Sequence, residues 1–242
     1  MKLPCVDVFS NPYHIYSYRD TTKNERILSL QKHGYIIDRV RTGVIKTVSS
    51  AYEAAIHMCN VGADKGLEDH VDEHLSCDDN FKIMLQTMPS ITPKVLLDYK
   101  NKPKSVDLDI LSKTVIAKGK LLSDDQFLFH GGLWNNSEEI ITTRPLSTSF
   151  CPQVALRNAE HNGKAYENGI IDLIVFRTTN TKTKVYVYNR RIRLAHEKEV
   201  LFSSGAVLTL KSIKHIRDDY PSSLDGTNIK NISVRVVEVD IS

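Results

Sequence analysis

The sequence predicts an α+β fold in which a mainly helical N-terminal part precedes a strand-rich C-terminal part. From residue 25 to residue 120, apolar residues recur mostly at helical spacing, and Pro89 and Pro93 interrupt the helical stretches. After residue 120 the chain changes to short β-branched and aromatic runs separated by Gly, Asn and Asp, which is typical of strands. We therefore distinguish a helical region, 25–120, from a strand-rich core, 121–242.

The individual elements follow from the same patterns. Residues 1–24 are polar and contain prolines, so we expect a flexible N-terminal segment. Residues 24–60 predict two helices, and the chain from residue 67 to residue 102 predicts further helical pieces. In the core, runs such as "GIIDLIVFRTT" and "KNISVRVVEVDIS" predict strands, and "PQVALRNAEHNG" predicts one intervening helix.

Length and composition exclude several classes of protein. The 242 residues suffice for a core domain with a substantial appendage, and the formal net charge of +3 is spread along the chain, so we expect no nucleic-acid partner. No apolar run approaches the about 20 residues of a membrane span, and none supplies a secretory signal peptide. The cysteines form no C-x-x-C pair, which favours reduced thiols. We expect a soluble protein that is cytoplasmic or delivered into a host cell by a dedicated secretion system.

Two short elements of the core combine a strand end with residues that can bind a ligand. In "FLFHGGLW" a predicted strand ends at His130, and Gly131 and Gly132 then let the backbone approach a ligand closely. In "RPLSTSFCPQVALRNAE" a strand leads through three hydroxyl residues into a helix. Such hydroxyls can cap the helix and can also form hydrogen bonds to a ligand. Taken singly, the first pattern is more often a turn and the second more often only a cap.

A third element, "HEKEVLFSSGAVLTL", carries two glutamates one residue apart. Side chains two residues apart in an extended backbone share a face, so we expect Glu197 and Glu199 to point at one spot. Paired glutamates also occur on exposed edge strands, where they oppose aggregation. The pair alone therefore does not identify a site.

Taken together, the three elements resemble the mono-ADP-ribosyltransferases of the Arg-Ser-Glu class, which include bacterial toxins, phage enzymes and vertebrate ectoenzymes. The segments "PLSTSF…VALRNA" and "EKEVLFSSGAV" agree with the Ser-Thr-Ser and Glu-x-Glu motifs of that class. His130 stands where the class has arginine, and it looks more like the histidine of the diphtheria-toxin and poly-ADP-ribose polymerase branch. The resemblance implies two packed β-sheets that form an NAD cleft beside N-terminal helices, with NAD as the substrate.

The implied reaction explains why two carboxylates would share one spot. Cleaving the nicotinamide–ribose bond develops positive charge on the ribose, and we assign to Glu199 the carboxylate that stabilises this charge. A second carboxylate, Glu197, would orient and deprotonate the acceptor, which the resemblance implies is arginine. By resemblance, Ser147 steadies the ribose and Glu199. The residues that we expect to bind NAD are His130, Gly131, Arg144, Thr148 and Ser149.

Two other hypotheses remain open. "HVDEH" matches H-x-x-E-H, in which His70 and His74 would bind zinc while Glu73 serves as the base of a hydrolase, with Cys77 as a further ligand. Its acidic surroundings are also typical of a solvated helix face, and we expect no metal. Alternatively, His130 marks a catalytically weak module that binds NAD or a partner without turnover.

The partner that we expect is a target protein of a host cell. A polar N-terminus without a signal peptide suits a bacterial effector or toxin that is delivered into a host, or a phage enzyme in the host cytoplasm. We expect the protein to act as a monomer and to bind neither membranes nor nucleic acid.

Overall fold

The structure, a computed structural model, describes residues 2–189 and 194–242. Its helices are Lys23–His33 (α1), Ala51–Val61 (α2), Lys65–Cys77 (α3), Asp79–Thr87 (α4), Lys94–Asn101 (α5), Leu108–Lys118 (α6), Pro152–Glu160 (α7) and Lys164–Asn168 (α8). Its strands are Lys2–Leu3 (β1), Tyr13–Asp20 (β2), Arg39–Val48 (β3), Leu121–Leu122 (β4), Phe127–Gly132 (β5), Glu139–Ile141 (β6), Leu146–Ser149 (β7), Ile170–Thr178 (β8), Val185–Val187 (β9), Glu199–Phe202 (β10), Val207–Ser223 (β11) and Ile229–Ile241 (β12). The predicted α+β class is confirmed. No helix among the described residues is long and apolar enough to cross a lipid bilayer.

Eight strands lie side by side in the order β6-β11-β12-β8-β5-β7-β10-β9. Strand β5 pairs with β8 from Phe127 to Gly132, but only the pair Phe129–Ser149 joins it to β7. The series therefore consists of two sheets that meet at this pair, one running from β6 to β5 and the other from β7 to β9. Because Ser149 also pairs with Glu199, Phe129 of β5, the end of β7 and the start of β10 are aligned at the junction. These are the two sheets that the resemblance implies.

In the larger sheet, α2 packs against β11, β12 and β8, and α7 packs against β5 and β8. Strand β8 is buried along most of its length, as expected for a central strand that is covered by other elements. Gly131 permits the close approach of α7 to β5, because a Cβ atom at this position would collide with the carbonyl oxygen of Ala155. The packing of α7 therefore requires a glycine here, and contact of Gly131 with a ligand stays a prediction.

The chain divides into two compact units, Phe9–Ser50 and the remainder. In the smaller unit β2 and β3 form an antiparallel pair. Helix α1 begins at a capping box of Thr22 and Glu25 and ends at Gly34, which has a left-handed backbone. Helices α2 to α6 belong to the larger unit together with both sheets.

Part of the predicted helical region is a strand. Of the two helices predicted within residues 24–60, α1 and α2 are present, but Arg39–Val48 between them is β3. Alternating Val40, Thr42 and Val44 suit a strand, and pairing with β2 overrides the helical spacing that the same valines show. Strand β2 lies within residues 1–24, where we expected a flexible segment.

Candidate active site

The turn at Glu197 and Glu199 brings two carboxylates together. Glu199 opens β10 and is 6% exposed, whereas the side chain of Glu197 is 27% exposed. Between them Lys198 has a left-handed backbone with a φ of 49°, so the segment is a turn rather than the extended strand that we predicted. Both carboxylates nevertheless point at one spot, because their Oε2 atoms bond to the same ammonium group, that of Lys100.

Lys198 fixes this turn from the other side. Its fully buried ammonium lies 3.0 Å from Asp72 Oδ2 on α3 and 2.8 Å from the carbonyl oxygen of His196. Glu68 Oε1, one turn earlier on α3, lies 3.7 Å away and is held in turn by the guanidinium of Arg157. A buried ammonium is stable only with such partners, so α3 determines where the turn lies.

Ser147 on β7 connects the second and third sequence elements. Its hydroxyl donates a 2.5 Å hydrogen bond to Glu199 Oε1, although the two residues are 52 positions apart in the chain. A hydrogen bond from a hydroxyl to a carboxylate is among the stronger kinds in proteins. The structure thus brings together the two residues for which the sequence predicts adjacent roles.

The other two hydroxyls of this element bond to the backbone. Thr148 Oγ1 donates to the carbonyl oxygen of Val200, and Ser149 Oγ donates to that of Glu197, at 2.7 and 2.6 Å. Both side chains are buried, and Ser149 Oγ also accepts from the amide of Cys151 at the start of α7. In the described structure Thr148 and Ser149 therefore hold the Glu turn and β10 against β7.

His130 lies within β5 beside Ser147, because the strand that we expect to end at this histidine continues to Gly132. Its Nδ1 lies 2.8 Å from the carbonyl oxygen of Ser147, and because a carbonyl only accepts, Nδ1 carries the proton and Nε2 is an acceptor. Burial lowers the pKa of His130, and the positive charges of Lys164 and Arg144 lower it further. The imidazole is therefore neutral at pH 7 and cannot supply the charge of an arginine.

Lys100 on α5 is the residue in contact with both glutamates. Its Nζ lies 2.5 Å from Glu197 Oε2, 2.7 Å from Glu199 Oε2 and 3.4 Å from the carbonyl oxygen of Leu194. The ring centroid of Tyr188 lies 4.9 Å away, which adds a cation–π contact. The side chain is only 2% exposed, so this ammonium is enclosed by its partners.

The environment of Glu199 opposes its ionisation. Burial raises the pKa of this carboxyl, and the charge of Glu197 raises it further, while Lys100 and the hydrogen bond from Ser147 lower it. Burial likewise raises the pKa of the Tyr188 phenol, so this group stays neutral.

A cavity of about 520 Å³ lies beside Ser147. Small-molecule sites typically measure roughly 300–1,000 Å³. Tyr99, His130 and Ser147 contribute to its wall, and the charged residues of its lining are Lys104, Arg144 and Lys164. All three are cations, so the cavity suits an anionic ligand such as a phosphate.

The H-x-x-E-H motif lies on α3, the helix that holds Lys198. Among the residues that the structure describes, no three His, Cys, Asp or Glu side chains are placed to hold a metal ion. The acidic stretch is not simply a solvated face either, because Glu68 is buried and Asp72 bonds to Lys198. This helix therefore has a structural reason for its acidic residues.

Sequence reasoning missed Lys100, Lys104 and Lys164. Lys100 and Glu197 are 97 positions apart, and neither "LLDYKNKPK" nor "GKAYENG" has a motif that connects it to the glutamates. Lys100 lies on α5, Lys104 follows this helix and Lys164 begins α8, and only the tertiary structure brings them near the site.

No protein-family model and no curated protein sequence matches the chain. Similar solved structures include the ADP-ribosyltransferase Vis in complex with agmatine, with 13% identity, 78% of this chain and 89% of that chain covered, and a TM-score of 0.45. A second structure, of the Vis toxin from Vibrio splendidus, has 12% sequence identity and a TM-score of 0.42, with 74% of this chain and 87% of that chain covered. The enzymatic component C2-I of the C2 toxin from Clostridium botulinum has 10% sequence identity and a TM-score of 0.39, with 67% of this chain and 46% of that chain covered.

Proposed function

We propose that the protein transfers ADP-ribose from NAD to an arginine side chain of a target protein and releases nicotinamide. The observation that carries the proposal is the 2.5 Å hydrogen bond from Ser147 Oγ to Glu199 Oε1, beside a cavity whose charged residues are cations. This bond joins the two sequence segments that resemble the ADP-ribosyltransferases. A carboxylate fixed by a hydroxyl next to a cavity whose charged residues are cations suits the cleavage of a nucleotide glycosidic bond.

The first part of the reaction breaks the bond between nicotinamide and C1′ of the ribose. The electron pair of this bond leaves with nicotinamide, so positive charge develops on the ribose ring. The carboxylate of Glu199 would stabilise this charge in the transition state more than in the ground state. Ser147 supports this role because it fixes one carboxylate oxygen.

The second part transfers the ribose to the acceptor. A nitrogen of the acceptor arginine attacks C1′ and gives up a proton, which Glu197 would accept. Glu197 is the more exposed of the two carboxylates, as expected for a group that meets a side chain arriving from another protein.

The cations of the cavity would hold the phosphates of NAD. Arg144, Lys104 and Lys164 supply the positive charge that the neutral His130 lacks. Because His130 keeps its proton on Nδ1, its Nε2 could accept a hydrogen bond from a ribose hydroxyl. The division of roles suggests how NAD can be bound without the arginine of the first family motif.

The biological setting that we propose is a host cell. The enzyme would be a bacterial effector or toxin, or a phage enzyme, that modifies a host protein and acts as a monomer. The two other hypotheses, a zinc hydrolase at His70 and His74 and a module that binds NAD without turnover, are not favoured.

Incubation of the purified protein with isotope-labelled NAD and a host lysate tests this function. We expect released nicotinamide and a protein whose arginine carries labelled ADP-ribose, as identified by mass spectrometry. Nicotinamide release without a modified protein would show that the protein is an NAD glycohydrolase. Absence of both products at an NAD concentration that the protein binds would contradict the proposal. The control is Glu139→Gln, the same Glu-to-Gln substitution at an exposed position of β6, which should leave both products unchanged.

A further inference from the structure

Lys100 has no role in the proposed function as stated so far, although no other described cation contacts both glutamates. Burying an ammonium is costly unless it is paired, and here the pairs are the two carboxylates to which the chemistry is assigned. We propose that Lys100 is a positioning residue, which holds Glu197 and Glu199 as a charged and oriented pair. This inference rests on the proposed function of the same site.

The charges explain why such a residue is needed. Two carboxylates that share a site resist double ionisation, and one of them tends to keep a proton, as in carboxylate dyads. A single proton on either Glu197 or Glu199 would remove the base or the charge that faces the ribose. The ammonium of Lys100 favours the ionised form of Glu199 and so opposes burial and the charge of Glu197, both of which raise the pKa of this carboxyl.

The geometry explains how Lys100 orients Glu199. Lys100 bonds to Oε2 and Ser147 bonds to Oε1, so both oxygens of this carboxylate have a donor. A carboxylate that is held at both oxygens cannot rotate when charge develops beside it, which is the condition for electrostatic preorganisation. Without Lys100 only the serine would restrain it.

The other groups near Glu199 cannot replace this charge. Lys198 lies in the same turn, but its ammonium bonds to Asp72 on α3. Ser147, Tyr99 and Tyr188 are neutral hydroxyls, and Glu197 carries a like charge. Arg144 is a cation, but it lies in the wall of the cavity.

Steady-state NAD hydrolysis as a function of pH tests the proposal. Lys100→Met keeps the length of the side chain and removes its charge, and we expect kcat at pH 7 to fall on the order of 10²-fold with a smaller change in KM. Activity requires ionised Glu199 and is lost as the pH falls through the pKa of this carboxyl. Because this pKa rises further without Lys100, the acid limb of the profile should move to higher pH and part of the activity should return in alkaline buffer.

Two variants control this experiment. Lys100→Arg restores a cation and should recover a substantial part of kcat and return the acid limb toward that of the parent. Lys94→Met removes a lysine from the same helix that is 91% exposed, and it should change neither quantity. If Lys100→Met does not fold, Lys100→Gln gives the same comparison.

Unchanged or faster turnover in a folded Lys100→Met variant would overturn the proposal, and faster turnover would instead identify Lys100 as an obstruction of the acceptor site. Carboxyl ¹³C NMR titration provides a readout that does not depend on turnover, with signals assigned through Glu199→Gln and Glu197→Gln. The Glu199 signal should titrate at higher pH in Lys100→Met than in the parent, and equal titration would contradict the inference. Failure of the parent to consume NAD would contradict the proposed function but leave this titration valid.

Discussion

The two sides of the Glu-Lys-Glu turn use the same chemical group for different purposes. On one side, the ammonium of Lys198 is buried against Asp72 and Glu68 of α3. On the other side, the ammonium of Lys100 is buried against Glu197 and Glu199 themselves. The first pair determines where the turn lies, whereas the second determines the charge of the groups that the turn presents. A buried ion pair can thus act on stability or on chemistry, depending on which carboxylate the ammonium contacts.

The largest expected effect is the loss of enzymatic activity in Glu199→Gln, on the Lys100 side of the turn. The amide keeps the shape of the side chain but loses the charge that faces the ribose, so we expect both transfer and NAD hydrolysis to fall by ~10²-fold or more. Nicotinamide release and labelled-protein yield measure the two reactions, with Glu139→Gln as the control. Activity within a few-fold of the parent would remove Glu199 from its assigned role.

A smaller and selective effect is expected from Glu197→Gln. Hydrolysis needs only the charge at the ribose and a water molecule, whereas transfer also needs an acceptor that is deprotonated. We therefore expect transfer to fall on the order of 10²-fold while much of the hydrolysis remains. Equal loss of both reactions in Glu197→Gln and Glu199→Gln would show that the pair acts as one unit.

Lys198→Met should separate the two sides of the turn. It removes the buried ammonium that Asp72 and Glu68 share, while Arg157 still pairs with Glu68. Because Asp72 is partly exposed, we expect the lower end of the about 3–5 kcal/mol that loss of one partner from a buried pair costs, which for a chain of this size lowers the Tm on the order of 10 °C. Displacement of the turn should slow both reactions equally, by about tenfold, without moving the acid limb of the pH profile. Lys65→Met, an exposed lysine on the same helix, is the matched control for thermal unfolding. An unchanged Tm would mean that α3 does not hold the turn.

The smallest effect is expected from His130→Ala, which touches the junction of the sheets rather than the turn. Loss of the hydrogen bond to the Ser147 carbonyl should cost about 1 kcal/mol of stability, and loss of the Nε2 acceptor should raise the KM for NAD by roughly fivefold. His161→Ala, an exposed histidine after α7, controls for the substitution. Equal NAD affinity in a folded His130→Ala variant would exclude this residue from the site.

Much of the fold could be predicted because its signals are local. Helical spacing over residues 51–118 and short β-branched runs after residue 120 give the right element types, since each depends on neighbours within a few residues. The strand Arg39–Val48 was mistaken for helix because its valines fit both periods, and only the partner strand β2 decides between them. The sequence of a segment does not show which strand will pair with it across a sheet.

The sequence by itself determined the residue types of the candidate site: a histidine followed by two glycines, a Ser-Thr-Ser segment before a helix and two glutamates at the start of a strand. Tertiary structure decided the rest. It made Lys198 left-handed and buried, oriented Thr148 and Ser149 toward the backbone, explained Gly131 by the packing of α7, and brought Lys100 to both carboxylates. The physical reason is that ionisation and orientation of a carboxylate depend on burial and on the charges within a few ångströms, and the residues that supply them come from helices far away in the chain.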